Sequence, residues 1–438
     1  MKKNWKLWIL LLVLLAFSAL KAYAQSDSLL LTVDELFRLG MENELRLQAD
    51  RIGEQQAAAQ SRTARTARLP EIEIGLRGGF VGQPVFFERG LSSPTYPESP
   101  DWEQNYAVNL TQPLYEGGRI RHAIRGADIR RRIASLQTET DEADTKLSLI
   151  RHYLDLFNSY EQRKVLLRNI EESERRLKDI RQLKEQGVIT NNDVLRSEVR
   201  LTDDRLSLRE TENTVALRSQ QLCIVLGLNE ELRIVPDTAL LNIAMHIEPY
   251  PYYVETAYGN DPSMRLLQAR TQLADNEVKL AKAEYMPTVS LYAANTLARP
   301  VQRTLADMYN NSWNIGVSFS YPLSSLYKNK HRVSNARLEV ERSKNAEMQK
   351  QQEIRMNVRE AWLRHGEAKE RVEALELSVR QARENYRIME SRYLGQLAIL
   401  TDLLDANNVL LDAELRLTAA RVEVIYTYYE LQRACGRI

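Results

Sequence analysis

The feature that most constrains this chain is a strand pattern joined, through a short break, to a helix longer than a compact domain needs. From Gln104 the residues alternate, with Tyr106, Val108 and Leu110 on one side and Asn105, Ala107, Asn109 and Thr111 on the other. The alternation breaks at Gln112-Pro113-Leu114-Tyr115-Glu116-Gly117-Gly118, and from Arg119 to Gly187 no proline and one internal glycine, Gly126, interrupt a helical sequence. That predicts a helix of about 68 residues, roughly 100 Å at 1.5 Å per residue. A strand with the period of a membrane barrel, leading into such a helix, suggests a protein that sits in one membrane and reaches away from it. The segment occurs twice.

Residues 1–24 read as a processing signal. Lys2, Lys3 and Lys6 precede an apolar run from Leu7 to Leu20, and Ala22-Tyr23-Ala24 forms a small-x-small cleavage site that places the mature start at Gln25. The run is shorter than the ~20 residues of a spanning helix. Without the four lysines of this segment the chain holds 56 basic and 59 acidic residues, a net charge of −3, which gives no support to a nucleic-acid partner. No later apolar run is long enough for a spanning helix, which leaves barrel strands open. Cys223 and Cys435 have no metal-ligand spacing, the five histidines are isolated, and no nucleophile, metal or phosphate-loop constellation occurs. The chain therefore reads as a non-enzyme with no cofactor.

In order, a helix is expected from Thr32 to Leu69, opened by the capping pattern Thr32-Val33-Asp34-Glu35 and stopped by Pro70. Strands follow at about 71–81 and 104–112, separated by a proline-rich loop, then the long helix, a turn at Gly187 and a return helix ending at Gly227. These elements make a first repeat, 25–227. Residues 228–252 read as an irregular linker, and 253–438 as a second repeat with a helix from about Tyr253 to Tyr285, strands at about 288–297 and 312–321, a long helix from Lys328 to Gly395 and a return helix. A shift of 209 residues lays Pro113 on Pro322, Leu114 on Leu323, Asp193 on Asp402 and Gly227 on Gly436, so the matches fall at the punctuation of an internal duplication.

Each strand pair reads as a hairpin, so the helices leave from one edge of a sheet. Leu147, Ile150, Leu154 and Phe157, then Leu166, Ile170, Leu177 and Ile180, form a coiled-coil stripe, and Tyr153, Tyr160 and Leu167 a second one on another face. Two stripes imply a neighbour on each side. Four strands cannot close a barrel alone, whereas three copies give twelve strands and an open lumen lined by polar faces that include Glu71, Glu73 and Arg77.

Here the chain resembles the TolC-like outer-membrane efflux channels. The resemblance rests on Gln112-Pro113-Leu114-Tyr115-Glu116-Gly117-Gly118-Arg119 at the strand-to-helix junction, on Arg392-Tyr393-Leu394-Gly395-Gln396-Leu397-Ala398-Ile399-Leu400-Thr401-Asp402-Leu403-Leu404-Asp405-Ala406 at the second turn, and on the four junction prolines Pro70, Pro113, Pro287 and Pro322. It implies an α+β membrane protein: a homotrimer whose 12-stranded β-barrel, four strands per chain, sits in outer-membrane lipid and continues into a periplasmic α-helical coiled-coil barrel. It implies a passive exit duct for small molecules, docked on a periplasmic adaptor that connects to an inner-membrane transporter. A duct for type I protein secretion is the alternative within the class, and a secreted soluble coiled-coil scaffold the alternative outside it.

The resemblance also implies a constriction. Asp402 and Asp405 match the ring of aspartates at the periplasmic end, and Tyr393 and Asp193 match a pair that links neighbouring tip helices. Asp193 and Asp402 are equally the residues a helix start prefers. Gly187, Val188 and Ile189, with Gln396, Leu397 and Ala398, are the tips expected to meet the adaptor. Gln396 stands where a tip glycine is usual and Ala398 where a basic residue belongs to the closing network.

Overall fold

A computed structural model of the chain describes residues 28–238, 247–301 and 306–438. The expected signal at 1–24 and part of the expected linker, 239–246, lie outside the described residues. In chain order the elements are β1 (Ser28–Leu31), α1 (Val33–Asn43), α2 (Leu45–Thr66), β2 (Glu71–Phe80), β3 (Phe86–Arg89), β4 (Ser92–Thr95), β5 (Trp102–Glu116), α3 (Arg119–Glu185), α4 (Asn191–Leu226) and β6 (Arg233–Pro236). The second half follows with α5 (Tyr250–Asn260), α6 (Pro262–Ala283), β7 (Thr288–Arg299), β8 (Asn310–Ser320), α7 (Ser325–Lys328), α8 (Lys330–Leu394) and α9 (Leu400–Ala434). The described residues within 50–138 and 262–350 form one compact unit, and those within 1–49, 139–261 and 351–438 another.

The first unit holds an antiparallel four-stranded sheet in the order β2-β5-β7-β8, so β2 and β8 each keep an unpaired edge. Polar bonds tie the helix ends beside it: Ser61 donates to Asp128 at 2.5 Å, Arg130 pairs with Glu277 at 2.7 Å, and the Asn329 amide donates to the Ala281 carbonyl at 2.6 Å. These groups would be costly to bury unpaired.

The second unit has two apolar clusters. One gathers Leu31, Leu36, Ile150, Tyr153, Leu154, Phe157 and Leu222 around the parallel pair β1 and β6. Tyr153 is fully buried, donates to the Leu31 carbonyl at 2.8 Å and accepts from the Asp237 N–H at 2.8 Å, and burial pushes its hydroxyl up to about 12. The other runs along α3, α4, α8 and α9 through Ile170, Leu177, Ile180, Val194, Val379, Leu403 and Leu410. The coiled-coil stripe read from the sequence is thus packed within one chain, while Leu167 of the second stripe is exposed. Cys223 and Cys435 are buried free thiols, and burial pushes Cys435 up to about 11.

Several boundaries differ from expectation. The expected helix from Thr32 to Leu69 is two helices, broken at Glu44 (ψ 117°), and the one from Tyr253 to Tyr285 is broken at Asp261 (ψ 116°). Each break keeps its last helical bond, to Gly40 and to Ala257, at 3.0 Å. Pro262 drives the second break, because a residue before proline is pushed out of the helical region; no single residue accounts for the first. Pro113 does not end its strand: β5 runs on to Glu116 with β7 as its partner, and the register shifts between Pro113 and Tyr115. The loop after β2 contains the β3–β4 hairpin, and the expected irregular linker contains β6 and the first turn of α5, where Pro251 suits the helix start.

Candidate functional site

The register gives the sheet two chemically different faces. Across one face Ile72 lies beside Leu110, Leu110 beside Ala293 and Ala293 beside Ile315. Across the other Glu73 lies beside Asn109, Asn109 beside Ala294 and Ala294 beside Asn314. Both faces are open in the single chain, and on the apolar one Phe80 is 85% exposed, Trp313 73%, and Ile74, Leu76, Ile315, Val317 and Phe319 are exposed with them. An apolar sheet face of this kind in water would aggregate, and hydrocarbon is the solvent that suits it. Aromatics mark both ends, with Phe80 and Trp102 edge to face at 4.8 Å at the loop end and Tyr115 and Phe319 near the helix end. On the polar face Tyr292 lies so closely over Gly316 that a Cβ there would sit 2.6 Å from its hydroxyl oxygen. The glycine gives up side-chain packing, and the tyrosine covers the gap.

The two hairpin turns α3–α4 and α8–α9 have the same backbone. At the first, Gly187 (φ +73°) donates to the Lys184 carbonyl at 2.9 Å and Val188 to that of Leu183 at 3.0 Å. At the second, Gln396 (φ +61°) donates to Tyr393 at 3.0 Å and Leu397 to Arg392 at 2.7 Å. Both are Schellman turns, which need one left-handed residue. Val188, Leu397 and Ile399 are exposed, Ala398 is half-buried, and Ile189 packs against the cluster beneath.

The turns differ in what caps the return helix. Asp193 accepts from the Thr190 N–H at 3.1 Å and from its hydroxyl at 2.8 Å, so its carboxylate is committed to a capping box. The corresponding cap before α9 is Ile399, whose side chain has no polar atom to offer; the Asp402 N–H donates to its carbonyl at 3.2 Å, and the carboxylates of the exposed Asp402 and Asp405 have no hydrogen bond or ion pair among the described residues. Tyr393 is buried near Asp193, and burial, then that charge, push its hydroxyl up. The expected hydrogen bond between them is not made within one chain: the Tyr393 hydroxyl has no partner among the described residues. Arg196 of α4 donates to Thr401 at 3.0 Å and so ties the two helix starts together.

The family model described as Outer membrane efflux protein matches residues 38–228 and 253–437. The chain belongs to that family. Among curated relatives, the outer membrane efflux protein BepC of Brucella suis is 22% identical over 348 residues, covering 76% of this chain and 72% of its own. The alkaline protease secretion protein AprF of Pseudomonas aeruginosa is 21% identical over 435 residues, covering 96% and 87%. The solved outer membrane protein VceC of Vibrio cholerae has the same fold, at a TM-score of 0.77 and 17% identity over 92% of this chain and 96% of that one.

As an outer membrane efflux protein the chain is a channel of the outer membrane with its helical part in the periplasm, serving efflux or secretion, and it is not an enzyme. A soluble scaffold has no use for the exposed apolar sheet. The family resemblance did not point to one feature of the helices, a buried polar chain around Arg176. Arg176, 7% exposed, donates to the Tyr386 hydroxyl at 2.8 Å, to Asn407 at 3.2 Å and to Ser173 at 2.8 Å, and Ser173 donates to the buried Asp204 at 2.9 Å. Asn407 in turn donates to Asn169 at 3.1 Å. Four helices share one buried cation, which in the sequence looks like one more charge on a solvated face.

Proposed function

We propose that three copies close their sheets into one 12-stranded barrel, the exit duct of a tripartite system in which a periplasmic adaptor meets the hairpin turns and an inner-membrane transporter supplies the energy. The observation that carries this is the four-stranded sheet with an exposed apolar face and two unpaired edges. Because the strands alternate in direction, β8 of one copy runs antiparallel to β2 of the next, and closure keeps the ladder regular. Internal duplication of one helix-strand-strand-helix-helix unit supplies the even number of strands. The constriction in this reading is built by Asp402 and Asp405, with Tyr393 and Asp193 beside it, and the adaptor docks on Gly187, Val188, Ile189, Gln396, Leu397 and Ala398.

Small molecules expelled by a pump are the first reading of the cargo. Protein export is the second, favoured by the 96% coverage of this chain in its match to an alkaline protease secretion protein. Purified protein added to planar bilayers is expected to give discrete, uniform conductance steps, and absence of any pore would sink the channel. Val188→Glu with Leu397→Glu is expected to abolish export in cells while leaving those steps unchanged; normal export would remove the docking assignment.

A further inference from the structure

The helix ends next to the sheet carry a concentration of cations that neither the barrel nor the constriction uses. Residues 119–132 hold six arginines against one acid, Asp128, and residues 328–344 hold six lysines and arginines against two acids. Of the carboxylates nearby, Glu116 pairs with Arg119 at 2.7 Å, Asp128 with Arg65 at 3.1 Å, Glu277 with Arg130 at 2.7 Å, and Glu284 with Arg332, while Glu71 and Glu341 are exposed without an ion pair among the described residues and leave the balance basic. Arg68, Arg121, Arg125, Lys282, Lys328 and Lys330 are exposed and make no ion pair among the described residues. His122 lies in the same field: burial, then Arg121, lower its pKa, with Lys279 and Arg125 adding to the effect.

The position of these cations matters as much as their number. They start just beyond Tyr115 and Phe319, the aromatics that end the apolar band of the sheet, which is where the phosphates of the adjoining leaflet lie when the band sits in hydrocarbon. An open cavity of about 460 Å³ at this level combines Arg68 and Arg121 with Leu114, Tyr115 and Ile120, and its one carboxylate, Glu116, is the partner of Arg119. A cationic wall beside exposed apolar groups fits a molecule with a phosphate at one end and acyl chains at the other.

We infer that Arg68, Arg121, Lys328 and Lys330 form a collar that binds anionic phospholipid headgroups of the periplasmic leaflet. The inference rests on the lipid-facing reading of the sheet. Each cation near such a surface contributes attraction that falls off within a Debye length. The collar would fix the depth of the sheet in the bilayer by electrostatics, while the apolar band fixes it by hydrophobic matching.

The test uses the intact assembly in detergent, titrated with phosphatidylglycerol or phosphatidylcholine and with bound lipid counted by native mass spectrometry. Wild type is expected to retain phosphatidylglycerol about tenfold better than phosphatidylcholine. Replacing all four residues with glutamine is expected to erase the preference at unchanged assembly mass and helix content; should that variant not assemble, Arg68→Gln/Arg121→Gln and Lys328→Gln/Lys330→Gln are each expected to reduce it. Equal retention of the two lipids by wild type overturns the inference, as does an unchanged preference in the variants. So does loss of the preference in millimolar inorganic phosphate, which makes the site one for free phosphate. Altered ion selectivity in bilayers with lipid preference intact places the collar in the lumen and also overturns it. Pores that conduct without any lipid preference leave the channel standing and remove the collar alone, whereas absence of pores removes the channel.

Discussion

The two hairpin turns share a backbone and differ in chemistry. The first has Gly187 at its left-handed position and a capping box closed by Asp193; the second puts Gln396 in that conformation and Ile399 at the cap. The first turn uses its acid to hold itself together, and the second leaves Asp402 and Asp405 unpaired. Identical geometry therefore need not mean identical duty: one turn is built for stability, and the other keeps carboxylates available at some cost in stability. The same contrast recurs deeper in the helices. Leu156 is fully buried, and so is His365, which lies 209 residues later.

The largest expected effect breaks the turns apart by function. Asp402→Ala with Asp405→Ala is expected to remove most of the cation selectivity of the channel and its block by multivalent cations, read as reversal potential and block in planar bilayers, whereas Asp193→Ala should leave both nearly unchanged and cost about 1 kcal/mol of helix stability. Full selectivity in the double variant would reduce both aspartates to helix-start residues.

Next in size is acid sensitivity. The His365 Nδ1 lies 3.0 Å from the Thr427 hydroxyl, Nε2 has no partner among the described residues, and burial with Lys369 nearby lowers its pKa to about 4. The unfolded chain, with an ordinary value near 6.5, then binds more protons between about pH 6.5 and 4, so stability falls as pH drops through that window, by about 3 kcal/mol in full. Urea midpoints followed by helical circular dichroism should show the loss in wild type and not in His365→Leu, which copies the first half.

Comparable in size is Arg176→Met, expected to cost about 2 to 3 kcal/mol by the same urea assay, because three buried acceptors lose a charged donor. Its counterpart 209 residues on, Asn385, is exposed, and Asn385→Ala should stay within about 0.5 kcal/mol. Smallest is the turn itself: Gln396→Gly should stabilise by about 1 kcal/mol and Gly187→Gln should destabilise by a similar amount, since only glycine adopts the left-handed region without penalty.

Much of this was legible because lipid and the helix lattice impose strong periods. Ser312 to Ser320 alternates between polar and apolar residues, as a strand with two unlike faces does, and α3 and α8 are long since neither contains a proline. Pro262 was a legible stop that the helical run around it concealed, and it would have revealed the break at Asp261. Glu44 carries no such signal. The β1–β6 pair was hidden by its shortness, four residues a strand, and the second turn by a glutamine in a glycine's conformation. Arg176 was invisible because burial is a property of four helices together, whereas the sequence shows one helix at a time.

If the chain is, as proposed, an open third of a closed barrel, the unpaired edges of β2 and β8 meet between copies. Cysteines placed one at a time along the polar face of β2, at Glu71, Glu73 and Gly75, each combined with Ser318→Cys on β8, should form disulfides between copies at one register in native membranes. A cross-linked ladder that stops at three chains is expected. A ladder that stops at two, continues without limit, or never forms while the protein stays folded would contradict it.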